Sequence, residues 1–375
     1  VQKLSPASAI ELSNGVKMPL LGYSTEDTAY NFQTQVDIIK EAIDAGFRYF
    51  DTADEHRVLR ALGKAIRDSG IPRGEFFVSA KMRHGEIRTR LFNMMRESLL
   101  EFDCGYFDLY SMQWPFPMTY LTCWTGITNC GKDETGDSFG ICDFYNRGYF
   151  RAVGVCNYEV HHMEELRRYI EKYNMGLPKK TNYHLEFRGE IEETKPCVMP
   201  MVNQSHFHPQ HMATDLREYC EAHNIVFGGT FCKDETKKFT RPRYFMDTKR
   251  NGALYEVDDQ AKLANRTTLQ TYEKIDGYEK NPVRYESNPR AERDYYDTFK
   301  LVSVIGKKHG KTNSQVVIRW GLQHGVITTP HTIKRSRMDE YINVFDFELT
   351  QEEMDRIDSL NCGLRIGYNP DYIDF

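Results

Sequence analysis

The residues best suited to chemistry stand in one short run, Arg48 to Gly63. It reads RYFDTADEHRVLRALG and holds a carboxylate, Asp51, and an imidazole, His56. Those two groups on one segment suit proton transfer. A second group, His206, His208 and His211, invites a metal reading, but no other ligand type is spaced with it, so no metal is expected. His161 and His162 open an expected helix and read as structural. No nucleophile is spaced with a base and an orienting partner, which argues against hydrolysis.

The elements that position these groups are legible. A chain of 375 residues, 40% hydrophobic and 27% charged, can bury a large core. Its formal net charge of -5 gives no long-range attraction to nucleic acid or anionic lipid. No run reaches the roughly 18 to 20 apolar residues of a membrane helix. Strands are expected at Met18 to Ser24, Arg48 to Thr52, Phe76 to Lys81, Tyr106 to Gln113, Phe150 to Cys156, Met199 to Gln204, Ile225 to Phe231 and Val326 to Thr329. Helices are expected at Gln35 to Ala45, Arg57 to Asp68, Ile87 to Phe102, Val160 to Tyr173, Met212 to His223, Tyr296 to Gly306 and Ser314 to Gln323.

This alternation belongs to the α/β class. Its strand count favours a closed (β/α)₈ TIM barrel, and no Gly-x-Gly-x-x-Gly follows the first strand to support an open dinucleotide-binding sheet. One domain is expected over 1–375, with insertions at about 116–148, 174–198 and 232–294 that exceed the usual connection of about six residues. The first and third follow strands and are expected to overhang the catalytic face, where their charged and Tyr-rich character suits an unknown protein partner. The second precedes a strand and starts at the opposite face.

Other signals concern compartment. The chain begins at Val1, as a trimmed precursor would. Cys123, Cys130 and Cys142 cluster in a Gly/Thr/Asp-rich segment where a disulfide could staple irregular backbone, and Asn265-Arg-Thr267 is a glycosylation sequon. These point to a secreted protein, with a cytoplasmic one as the alternative. Asn203-Gln-Ser205 falls on an expected buried strand and is not expected to carry glycan.

The motifs NGVKMPLLGYST, AIDAGFRYFDTA, FFVSAKM, FDLYSMQWP, RAVGVCNYEVHHMEEL, VVIRWGLQHGV and VFDFELTQEEMDRIDSLN, in that order, resemble the aldo-keto reductases over most of the chain. The resemblance implies a barrel binding NADP(H) at the C-terminal ends of its strands. It also implies an active site of Asp, Tyr, Lys and His, in which Tyr gives a proton to the carbonyl oxygen and Lys, held by Asp, lowers the Tyr pKa. Asp51 and Lys81 match two of these positions; His56 stands in place of the Tyr and Gln113 in place of the His. Thr25, Asn157, Gln204, Thr332 and Arg337 match or conservatively replace cofactor-contacting positions. Cys156 replaces a usual Ser, Thr230 falls where an aromatic stacks on the nicotinamide, and His331 where a Lys binds phosphate.

These changes have physical weight. Imidazole starts near a pKa of about 6.5, and a neighbouring ammonium lowers it, so His56 is expected to be mostly neutral at pH 7 and a poorer acid than Tyr. Lost base stacking costs about 1 to 3 kcal/mol in other settings. The expectation is a catalytically impaired protein that serves as a binding or structural protein through its long loops, with NADP(H) binding weakened or lost. The alternative is an active NADP(H)-dependent oxidoreductase that uses His56 as its acid.

Overall fold

The structure, a computed structural model, describes residues 3–25, 30–53, 57–82, 87–116, 119–126, 140–175, 196–230, 289–363, 365 and 370–372. A short hairpin comes first. In it β1 (Ala9–Glu11) pairs antiparallel with β2 (Lys17–Pro19), Ile10 opposite Met18.

The sheet that follows has eight strands, all parallel and each paired to the next in sequence: β3 (Tyr23–Ser24), β4 (Tyr49–Asp51), β5 (Phe77–Lys81), β6 (Leu109–Met112), β7 (Val153–Cys156), β8 (Val202–His206), β9 (Val226–Thr230) and β10 (Ile327–Thr328). It curls until its edges meet. Leu21 bridges Thr328, Gly22 N–H donates to Thr328 O at 2.9 Å, and Ser24 N–H donates to Pro330 O at 3.1 Å. The α/β barrel expected from the alternation is therefore the one observed.

Around it run α1 (Phe32–Asp44), α2 (Leu59–Asp68), α3 (Ile87–Phe102), α4 (Tyr120–Thr125), α5 (Ile141–Asn146), α6 (Val160–Met175), α7 (Thr214–Ala222), α8 (Pro289–His309), α9 (Asn313–Gln323), α10 (Arg335–Ile342) and α11 (Gln351–Asp358). The α1 face predicted from periodicity is the buried one, carrying Val36, Ile39 and Ile43. Its N-terminus is capped by the Asn31 side chain, which accepts from Thr34 N–H at 3.0 Å. Capping boxes at Thr312/Gln315 and Thr350/Glu353 start α9 and α11 in the same way.

Sheet strands β4 to β7 are buried along their whole length, as strands covered by helices on one side and a filled barrel on the other must be. Close approach inside the ring makes Gly22 obligatory. A Cβ there would lie 2.3 Å from Tyr49 Cδ1. Gly22→Ala is expected to displace the Tyr49 ring and cost about 1 to 3 kcal/mol, read as a lower urea midpoint with an unchanged slope.

The expected strand Met18 to Ser24 is divided between β2 in the hairpin and β3 in the barrel, and the first insertion also differs from the sequence reading. The ends of the first insertion are ordered as α4 and α5, not irregular loop, and bring Cys123, Trp124, Ile141 and Cys142 into the core. They fasten to neighbouring segments: Tyr120 hydrogen-bonds Glu165 on α6, and Trp124 Nε1 donates to Val198 O at 2.9 Å. Among the described residues no disulfide joins Cys123 to Cys142; Cys130 lies outside them. Burial is a sufficient alternative reason for cysteines at these two positions. The Asn265 sequon and nearly all of 174–198 and 232–294 also lie outside the described residues.

Asn203 is fully buried on β8 and donates to Tyr158 O at 2.9 Å, which leaves its amide inaccessible to glycan transfer. Among the described residues no helix is long and apolar enough to cross a membrane.

Candidate active site

Because all eight strands run the same way, their C-terminal ends open on one face. Five of the residues singled out from the sequence end up there. Asp51 and Lys81 are the last residues of β4 and β5, Gln113 and Asn157 follow β6 and β7 directly, and Gln204 lies in β8. Asp51 and Lys81 are buried, at 4% and 5% exposure, and form an ion pair in which the ammonium meets Asp51 Oδ1. Ser79 Oγ donates to the same carboxylate oxygen. Thr25, next to the end of β3, is tied to this pair through its N–H, which donates to Asp51 O at 3.0 Å.

Asn157 is the hinge between two other members. Its N–H donates to Gln204 O at 2.7 Å and its Nδ2 donates to Gln113 O at 3.4 Å. It has a φ of 64°, in the left-handed region that Asn tolerates better than most residues. Nδ2 also lies 3.5 Å from Cys156 Sγ, so the thiol occupies the place beside Asn157. His56 lies outside the described residues. Arg57, two residues before α2, has a φ of 51°, a strained value for a long side chain.

Three amide oxygens, Gln113 Oε1, Asn157 Oδ1 and Gln204 Oε1, are buried and accept no hydrogen bond among the described residues. Buried acceptors of this kind are normally paired, with the chain, with water or with a ligand. Asn157 and Gln204 fit a carboxamide NH₂, as the nicotinamide of NADP(H) presents. On the other side of the mouth, the segment after β10 docks onto β3. His331 Nδ1 lies 2.8 Å from Ser24 O, and Tyr23 Oη donates to Thr332 O at 2.6 Å. Thr332 is buried, and its Oγ accepts from Lys334 N–H at 3.2 Å. Arg337 lies in the first turn of α10, where helix N–H groups and basic side chains favour an anion. The Thr230 side chain and Phe231 lie outside what is described.

Sequence reasoning missed Tyr49 and Ser79. Gln204 Nε2 lies 3.5 Å from Tyr49 Oη, which lies 3.2 Å from Ser79 Oγ. The signal was present as a period of two: Tyr49 and Asp51 share one side of β4, and Ser79 and Lys81 one side of β5. Burial first, and then the Asp51 charge, raise the Tyr49 phenol well above its ordinary range, so it keeps its proton.

Among the described residues, His206, His208 and His211 do not form a group of three possible metal ligands. His208 and His211 exchange backbone hydrogen bonds, at 3.1 and 2.8 Å, and their rings are 6.0 Å apart. A different trio meets instead, His161, His162 and Asp371, with His161 Nε2 at 2.9 Å from Asp371 Oδ1. Its chemistry is poor for a metal. His162 Nδ1 accepts the Glu159 N–H at 3.2 Å, so the neutral ring carries its proton on Nε2, the atom facing the cluster. Burial, then the neighbouring His161 and Arg365, lower the His162 pKa to about 3.

Comparison with known proteins gives these features a context. The profile of the aldo/keto reductase family matches residues 20–362. Glyoxal reductase of Bacillus subtilis is 28% identical over 368 residues, spanning 98% of this chain and 97% of that protein. A 9,11-endoperoxide prostaglandin H2 reductase of Trypanosoma cruzi is 30% identical over 369 residues, 97% and 95% of the two chains. Among solved structures, a mutant of Gox0644 in complex with NADPH superposes with a TM-score of 0.63 at 21% identity, covering 98% of this chain and 99% of that one.

Proposed function

The chain belongs to the aldo/keto reductase family, and from that premise we propose that it is an NADP(H)-dependent oxidoreductase acting on the carbonyl of a small dicarbonyl such as glyoxal, with His56 as the proton donor. The observation that carries this reading is the buried Asp51–Lys81 pair beside three unpartnered amide oxygens at one barrel mouth. The glyoxal reductase relative and the NADPH-bound neighbour support it from outside.

NADPH, when bound, supplies a hydride to the substrate carbonyl carbon. The chain's part is to hold and to protonate. Asn157 Oδ1 and Gln204 Oε1 would accept from the cofactor's carboxamide, Thr25 and Thr332 would help to hold it, and Arg337 would pair with its 2′-phosphate. Gln113 offers its amide N–H₂ to the carbonyl oxygen and keeps it near His56. His56 gives that oxygen a proton as negative charge develops on it. Lys81, fixed by Asp51, adds positive charge beside the forming alkoxide, which stabilises it but also makes the His56 imidazolium harder to form.

That opposition is why a second reading keeps a specific observation on its side. His56 and Gln113 are both substituted, and a protein that had given up turnover would use the charged segment 232–294 to hold a partner. Turnover separates the two. Micromolar NADPH binding, followed by fluorescence quenching, and steady NADPH oxidation with glyoxal are expected. Arg337→Ala is expected to weaken binding about tenfold or more, as loss of a charge-assisted contact would. No binding at millimolar cofactor would leave the scaffold reading in possession.

A further inference from the structure

We propose that Tyr49 and Ser79 are positioning residues that fix which end of the Gln204 amide meets the cofactor, so that the charge on Asp51 is read, through two hydroxyls, as the orientation of Gln204. The proposal rests on the reading above that the nicotinamide carboxamide lies against Asn157 and Gln204.

The argument is one of hydrogen-bond direction. An ionised carboxylate accepts and cannot donate, so the Ser79 hydroxyl must give its single proton to Asp51 Oδ1. Ser79 Oγ is then left with lone pairs only, and the Tyr49 hydroxyl at 3.2 Å must be the donor to it. Tyr49 Oη, its own proton spent, can only accept from the Gln204 amide, 3.5 Å away, and therefore faces Nε2. The other end of the amide, Oε1, is buried and accepts nothing among the described residues.

Rotating the amide would set Oε1 against Tyr49 and make the phenol donate to it. Ser79 and Tyr49 would then oppose lone pairs at 3.2 Å, in a site where Tyr49, Ser79 and Gln204 are all fully buried and no water can relieve the clash. Polarity therefore runs one way from Asp51 to the mouth. Tyr49 holds the orientation in place mechanically too, since Gly22 packs its backbone against the ring.

Gln204 consequently offers an acceptor, and the matching ligand group is a primary amide N–H₂ donor. A cofactor whose carboxamide is replaced by a methyl ketone keeps the carbonyl and loses the donors, so it should be disfavoured at this position.

The test compares dissociation constants of NADPH and its 3-acetylpyridine analogue, measured by quenching of intrinsic fluorescence on the full chain. The wild type is expected to prefer NADPH by about three- to tenfold, the range of one net hydrogen bond. Tyr49→Phe removes the acceptor that holds Nε2, and Ser79→Ala frees the Tyr49 proton to turn toward the amide. Both are expected to weaken NADPH, leave the analogue unchanged or tighter, and bring the ratio toward one. If both variants keep the wild-type ratio, even with both ligands equally weakened by damage to packing, the relay is refuted while cofactor binding stands. A wild type that binds both ligands equally refutes the orientation of Gln204. If the wild type binds neither, the cofactor reading itself is wrong and the relay falls with it.

Discussion

His56→Ala is expected to lower kcat on glyoxal by about 10²- to 10⁴-fold, the usual worth of a positioned general acid, while NADPH binding stays within a factor of about two. The pH profile makes the assignment specific. An imidazole donates only while protonated, so activity of the wild type should rise as pH falls through the pKa of His56 and be lost as pH rises through it. His56→Tyr should invert this weakness. A phenol, with a reference pKa of about 10, remains protonated across neutrality, and the variant is expected to hold its rate flat to well above pH 7 and to exceed the wild type there. Stopped-flow rates of NADPH oxidation between pH 5 and pH 9 would read both effects. An activity indifferent to His56→Ala would assign the proton to another donor.

Lys81→Met should have the largest effect on stability. Asp51 and Lys81 are each about 5% exposed, and the carboxylate would be left with Ser79 as its remaining side-chain donor. Breaking a buried pair on one side costs about 3 to 5 kcal/mol because the surviving charge is stranded. Asp51→Asn in the same chain removes that charge, so the double variant should recover most of the lost stability. It should not recover function, since neither the ammonium nor its carboxylate would remain. Urea unfolding of the two single variants and the double variant measures the coupling directly. If the single and double variants were equally destabilised, Asp51 would not be carrying an uncompensated charge. Removal of the ammonium also lets His56 protonate more readily, so whatever activity Lys81→Met keeps should extend to higher pH.

Much of this frame was readable in the chain. Strands showed as apolar runs ending at Asp51, Lys81 and Cys156, because a barrel strand buried on both faces has no reason to alternate. The antiparallel pairing of Ala9–Glu11 was not, since half-exposed, three-residue strands leave no pattern to find. Nor were α4 and α5: each is a six-residue helix, too short for a period to declare itself, and each is held by tertiary contacts such as that of Trp124 with Val198 O.

In the site, Asp51, Lys81, Asn157 and Gln204 could be placed from the sequence because the motifs that carry them resemble the aldo-keto reductase pattern, and Asp51 and Lys81 also end recognisable strands. What could not be read was the polarity of the hydrogen bonds among them. Tyr49 and Ser79 are ordinary strand residues by composition; their role comes from the register that sets Asp51 opposite Ser79 on neighbouring strands. The disulfide expectation failed for a related reason. Cys123 and Cys142 are near in sequence and rich in turn-forming neighbours, yet each is buried in its own short helix, with no disulfide between them.

The direct pairing of Ile327 with Gly228, with 231–288 between them in the chain, bears on how the polypeptide tolerates being cut or lengthened. The entropy of bringing two such ends together grows only with the logarithm of the intervening length, so a long insert burdens the ring little more than a short one. Among the described residues β10 has a neighbour on each side, β9 on one and the segment leading into β3 on the other. A break anywhere in 231–288 would therefore divide the molecule into a seven-stranded piece and a piece carrying the final strand with α8 to α11. Each would hold half of what the other lacks: the seven-stranded part the proton chemistry, the smaller part Thr332 and Arg337. Reassociation of the two pieces and assembly of the reaction site would then be one event.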